Sequence, residues 1–87
     1  MNVTREQLAT IMLRYAQLKG MDAVTTEENL GFNDASDISD WAVVAMNWGV
    51  GRDYIFTRTE GAIAPKGAAT RAEIAAFIHR YIVSNEK

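Results

Sequence analysis

Thr70, Arg71, Ala72 and Glu73, followed at helical spacing by Ile74, Phe77, Ile78, Tyr81 and Ile82, form the stretch whose reading decides the fold. The threonine is placed to accept a hydrogen bond from the backbone N–H three residues on. The Glu73 carboxylate can reach back to the threonine's own N–H, which completes a capping box. A helix from this turn to about Val83 is therefore expected, with the five apolar residues as its buried stripe. Thr4, Arg5, Glu6 and Gln7 repeat the plan near the other end of the chain. They open a helix expected to run from Arg5 to about Lys19, with Leu8, Ile11, Met12, Tyr15 and Leu18 inward and Gly20 as its left-handed stop.

The arginine is the unusual residue of both turns. A cation at the first helical position opposes the helix dipole, at a cost of about 0.3–1 kcal/mol. One reason to keep it is an anion, since helix-start N–H groups attract negative charge and a guanidinium adds a planar fork for carboxylate or phosphate. The other is structural: the arginine lies on a neighbouring loop or pairs with a local acid such as Glu6. The residues alone leave both open.

Eighty-seven residues with nearly half apolar suffice for one small domain or a piece of a repeat array. The net charge of −2, with both signs mixed along the chain, provides no long-range field for nucleic acid or an acidic membrane surface. The absence of cysteine excludes a disulfide framework, a thiolate metal site and a cysteine nucleophile. No apolar run is long enough for a membrane span, and the N-terminal residues lack the pattern of a secretion signal. If the natural protein is exported, the expectation is that this chain is a piece of it.

Between the two capping boxes the reading is more varied. Thr25 to Glu28 offers a cap and first turn for one short helical turn ending at Leu30 and Gly31. Acids and hydroxyls alternate from Asp34 to Asp40, but Ile38, Ser39 and Ala45 fall where a calcium-binding EF-hand needs a ligand, a glycine and a glutamate. Ser36 to Asp40 reads instead as capping residues for a helix from about Ser39 to Trp48, with Trp41, Val44, Ala45 and Trp48 on one face and Gly49 at its end. Trp41, in the first turn, is the tryptophan better placed for stacking on a sugar ring. Val50 to Ala69 has no helical periodicity; Tyr54 to Thr57 has strand composition and could pair with Gly61 to Ala64, and Pro65, Lys66 and Gly67 form a turn leading to Thr70. His79, the only histidine, falls off its helix's apolar stripe and has no companion for a metal.

Thr4 to Tyr15 laid over Thr70 to Tyr81, an offset of 66, matches Thr, Arg, Ala, Arg and Tyr at five of twelve positions. Such self-similarity marks a repeat architecture, in which each unit needs a neighbour to bury its apolar face. The order Phe32, Asp34, Trp41, Ala42, Gly49, Val50, Gly61, Ile63, Pro65 and finally Thr70, Arg71, Ala72, Glu73 resembles the S-layer homology module, whose hallmark is the last tetrapeptide. In the first copy Glu6 and Gln7 stand where that hallmark has alanine and glutamate.

The resemblance implies a mainly α fold: a small helical domain of helix, long loop and helix, with an N-terminal helix from an adjoining repeat. Residues 1–20 would be the closing helix of a partial module, 21–31 a linker, 32–83 the module and 84–87 a flexible tail. It further implies non-covalent anchoring of a bacterial surface protein to the cell wall, through an acidic, often pyruvylated, secondary polysaccharide. Arg71 would be the main ligand contact, with Arg5 at the same position of the partial module, Thr70 holding the helix start and Trp41 stacking on sugar. Localisation would be extracellular, on the wall or in an S-layer. No cofactor, metal, nucleic acid, membrane insertion or catalysis is implied, and no pair of carboxylates stands out as a glycosidase set. The alternative is a module that self-associates or packs against neighbouring modules without binding carbohydrate.

Overall fold

The computed structural model describes residues 3–20, 34–52, 54–55 and 62–85, the side chains of 84 and 85 excepted. The short turn expected within 21–31 lies outside these residues, as does most of the pairing expected between 54–57 and 61–64. Three α-helices dominate the described residues: α1 (Arg5–Leu18), α2 (Val43–Gly51) and α3 (Arg71–Asn85). Two 3-10 turns, Ala35–Asp37 and Asp40–Ala42, lead into α2. The described residues contain no strand; Thr4 and Ala68 form an isolated antiparallel bridge. The expected class, a small mainly helical domain, is the one observed.

Both capping boxes form. The Gln7 N–H donates to Thr4 Oγ1 at 3.2 Å while Thr4 N donates to Gln7 Oε1 at 2.9 Å. At α3 the Glu73 N–H donates to Thr70 Oγ1 at 3.0 Å and Thr70 N to Glu73 Oε1 at 2.8 Å. Gly20, at φ +67°, follows the last turn of α1 as expected. The chain turns at Pro65 and Lys66, closed by a hydrogen bond from Gly67 N to Ala64 O at 3.0 Å.

Small residues set how the helices approach. Ala9 and Ala16 of α1, with Ala42 and Ala45 at the start of α2, are buried and let α1 lie directly on α2. α3 joins this pair through rings: Trp48, Tyr54, Phe77 and Tyr81 form one cluster with centroid separations of 5.2–6.3 Å. Tyr54 was expected in a strand, yet it is buried in this cluster with the adjacent Ile55 against Gly49. Gly49 is therefore inside α2 rather than at its end. A β-carbon there would stand 2.9 Å from Ile55 Cδ1, so a larger residue would have to displace the Ile55 side chain.

Only part of each face that periodicity suggested is buried: Leu8, Ala45, Trp48, Phe77 and Tyr81 are buried as expected, and Met12 and Ile74 pack half-buried against the core. On α1 the buried residues are Arg5, Glu6, Leu8, Ala9, Leu13 and Ala16, while Ile11, Tyr15 and Leu18 are exposed. Trp41 and Val44 are exposed beside the buried Ala42, Ala45, Met46 and Trp48; on α3 Phe77 and Tyr81 are buried and Ile78 and Ile82 exposed. Apolar residues occupy two faces of α1 and α3, so periodicity alone averaged the two into one stripe.

This division is testable by urea unfolding followed by circular dichroism. Leu13→Ala, which empties a buried site, is expected to cost about 2–5 kcal/mol. Leu18→Ala, on the stripe that periodicity favoured, is expected to change stability by no more than about 0.5 kcal/mol.

Candidate functional site

The N-terminus of α1 is the point on which separate parts of the chain converge. Its first N–H groups are taken by carbonyls from far along the sequence: Arg5 N donates to Gly67 O at 2.9 Å and Glu6 N to Pro65 O at 3.0 Å. The side chains at these positions turn inward as well. Arg5, 4% exposed, donates from Nε to the Ile63 carbonyl at 2.7 Å and from a terminal nitrogen to the Glu73 carboxylate. Glu73 thus serves its own capping box with one oxygen and Arg5 with the other, tying the starts of α1 and α3 together.

Glu6 is buried beside it. Its carboxylate accepts from Ser39 N at 2.9 Å, Ser39 Oγ at 2.8 Å and Lys66 Nζ at 3.0 Å. Burial by itself would raise the Glu6 pKa, but the two Ser39 hydrogen bonds and the Lys66 ammonium outweigh it and hold the group below the ordinary carboxylate range. Asp34 plays the matching part on the next loop, accepting Ile63 N at 3.0 Å and Ala64 N at 2.8 Å. Burial is again opposed, here by those N–H groups and the Arg5 charge, and the pKa is lowered. Ala64 takes a left-handed φ of 48°, a conformation that costs a non-glycine residue about 1 kcal/mol or more. The Asp34 carboxylate secures that turn.

Two expectations change in this light. Ser39 does not cap the following helix; its hydroxyl and N–H go to Glu6, and neither the turn at Asp40 nor α2 has a side-chain cap. Asp37 and Asp40 stand in the first turns of the two 3-10 segments, as dipole-matched acids would, whereas Asp34 is committed to backbone N–H groups across a gap of about thirty residues. Nothing local distinguished Glu6 or Asp34 from surface acids, because their partners are remote in sequence.

The start of α3 repeats the sequence of α1's start without its surroundings. Thr70 caps the helix, but Arg71 is exposed. Among the described residues, neither its guanidinium nor the Arg71 and Ala72 N–H groups has a partner. Beside this turn lies a cleft of about 220 Å³, lined by Arg5, Tyr54, Ile55, Ala72, Glu73 and Arg80 among others. Trp41 is 58% exposed, two residues beyond the Ser39 that Glu6 holds. The start of α3 offers donors and Trp41 an exposed aromatic face; neither Arg71 nor Trp41 lines the cleft. The carboxylates Glu6, Asp34 and Glu73 around the starts of α1 and α3 are all engaged in hydrogen bonds.

The description "S-layer homology domain" is that of the family model matching residues 31–75. An exoglucanase, XynX, of Acetivibrio thermocellus is 39% identical over 82 residues, covering 90% of this chain and 7% of the enzyme. An amylopullulanase of Thermoanaerobacterium thermosulfurigenes is 40% identical over 83 residues, covering 90% of this chain and 4% of the enzyme. The chain therefore spans less than a tenth of the length of either relative. No solved structure matches it.

Removing the buried cation should be costly where removing its exposed counterpart is not. Arg5→Ala, which strands the Ile63 carbonyl and Glu73, is expected to lower unfolding free energy by about 2–3 kcal/mol. Arg71→Ala is expected to stay within about 0.5 kcal/mol in the same urea titration. Acid should act through the two carboxylates. Their folded pKa values are depressed, so the stability they contribute is present above the unfolded range near pH 4 and is lost as pH falls through the folded values. The urea midpoint is expected to be level from about pH 7 to 5 and to fall below about pH 4, with Glu6→Gln lowering the plateau and shallowing the acid limb.

Proposed function

The chain belongs to the S-layer homology family, and from that premise we propose that it is a non-catalytic anchor holding a bacterial surface protein to the cell wall. The ligand is an acidic secondary wall polysaccharide, with a pyruvyl carboxylate as the group best suited to the site. Two relatives support an accessory role, because in an exoglucanase and an amylopullulanase the matching part is a small fraction of the enzyme. An anchor of this kind acts outside the cell.

The observation that carries the reading is the open start of α3. Thr70 holds the turn, while the Arg71 guanidinium and two N–H groups are without partners among the described residues. Aligned N–H dipoles beside a guanidinium are the arrangement that grips a carboxylate in two places. The exposed indole of Trp41 supplies an apolar plate for a sugar face. Arg5 enters this reading from the wall of the adjoining cleft, which Arg80 also lines; its guanidinium is already committed to Ile63 and Glu73.

Co-sedimentation with purified peptidoglycan sacculi tests the proposal. Binding is expected to intact sacculi and to vanish once acid extraction has removed the secondary polysaccharide. Arg71→Ala is expected to weaken it about ten- to a hundredfold, the loss of one charged hydrogen-bond set, with an unchanged circular dichroism spectrum. Equal binding before and after extraction, or by Arg71→Ala and the parent chain, would overturn the reading.

A further inference from the structure

The two proposed ligand contacts, Arg71 and Trp41, stand on separate segments, and both segments are fastened to the start of α1. The one that leads to Arg71 is fastened by backbone: Arg5 N donates to Gly67 O, Glu6 N to Pro65 O, and Ala69 N to Val3 O at 2.6 Å. The one that carries Trp41 reaches α1 through a side chain instead. Ser39 donates to the Glu6 carboxylate from both its N–H and its hydroxyl. Its carbonyl accepts Ala42 N at 2.8 Å, which closes the short turn Asp40–Ala42 on which Trp41 stands.

Glu6 also joins the two segments to each other. The oxygen that accepts the Ser39 hydroxyl accepts Lys66 Nζ as well, and Lys66 donates in turn to Ser39 Oγ. Lys66 lies in the turn that delivers the chain to Thr70 and Arg71. Three parts of the chain therefore meet at one carboxylate. Asp34 ties the same loop to Ile63 and Ala64 farther upstream, but the turn that bears Trp41 has no side-chain cap of its own. The repeat plan does not call for this junction, since the equivalent residue at the start of α3 is Ala72. A buried carboxylate is costly unless it is fully paired, and Ser39 and Lys66, which pair it, lie on the two segments that bear the proposed contacts.

We propose that Glu6 is a positioning residue for wall binding, holding Trp41 in register with Arg71 through its junction with Ser39 and Lys66. An acidic sugar chain gripped at its carboxylate and stacked on a ring needs both contacts at a fixed separation. Ordering one of them only at the moment of binding lowers affinity. The Arg71 segment is referenced to α1 by backbone bonds, so loss of the Glu6 charge loosens Trp41 and leaves Arg71 in place. Glu6 is 2% exposed and acts through Trp41 rather than on the ligand. The inference rests on the polysaccharide reading for the roles of Arg71 and Trp41.

Two measurements on the whole chain test it, the first without polysaccharide. In amide relaxation by NMR, Glu6→Gln is expected to lower the order of the Asp40, Trp41 and Ala42 N–H groups and to leave those of Arg71 and Ala72 unchanged. The second is co-sedimentation with intact sacculi, under conditions where circular dichroism shows each variant folded. Glu6→Gln is expected to weaken binding about three- to tenfold. Combined with Trp41→Ala it should add almost nothing to the loss from Trp41→Ala alone, because it acts through that ring. Ser39→Ala, which keeps the start of α1 intact, is expected to follow Glu6→Gln in both measurements to a lesser degree. Unchanged order at Trp41, or losses of Glu6→Gln and Trp41→Ala that add in full, would overturn the proposal. Trp41 loosened as expected, but with sacculus binding undiminished or absent from the parent chain, would overturn it through the polysaccharide reading, with the junction itself upheld.

Discussion

The Arg5 guanidinium is the constraint on which the rest of this small domain depends. A cation only 4% exposed cannot be left without partners, because unpaired buried charge costs several kcal/mol. Its partners, the Ile63 carbonyl and the Glu73 carboxylate, come from the far end of the chain. Satisfying one side chain thus fixes where the turn through Pro65 runs and where α3 begins. Glu6, the next residue, performs the same service for the loop at Ser39 and for Lys66. Adjacent charges of opposite sign at one helix start organise both loops of the fold.

This polar centre and the aromatic cluster divide the work. Trp48, Tyr54, Phe77 and Tyr81 supply the apolar burial that joins α2 to α3, with the non-directional character of the hydrophobic effect. The hydrogen bonds at α1's start are directional and specify which turn meets which helix. Asp34 illustrates the combination, holding the N–H groups of Ile63 and of Ala64, whose left-handed backbone needs support, while Ile63 itself is buried in the core. Function, in the reading proposed above, uses what this scheme leaves over. Where α1's start is consumed by its own domain, α3's start presents the same chemistry to an outside carboxylate.

Much of the architecture was legible because its signals are local. Each capping box is written in four consecutive residues, and Gly20 and the turn at Pro65 likewise act on their immediate neighbours. The family was legible in ordered landmarks from Phe32 to Glu73, and the repeat at an offset of 66 marked a repeat architecture. Misreadings arose where an apolar residue had two possible partners. Ile11 and Tyr15 share a helix with Leu8 and Leu13, and only the position of α2 decides which pair is buried. Gly49 looked like a helix end because its other use, admitting Ile55, is invisible without the returning chain.

The sequence by itself determined the three helices, the caps that begin α1 and α3, the mainly helical class and the family. The helices and caps follow from residues within about four positions of one another, and the family from landmarks in order between Phe32 and Glu73. Only the tertiary structure decided that Arg5 is a buried strut while Arg71, its twin in sequence, faces outward. The physical reason is that burial of a charge depends on acceptors supplied from elsewhere. The chain brings Ile63 and Glu73 to Arg5, and among its described residues it brings nothing to Arg71.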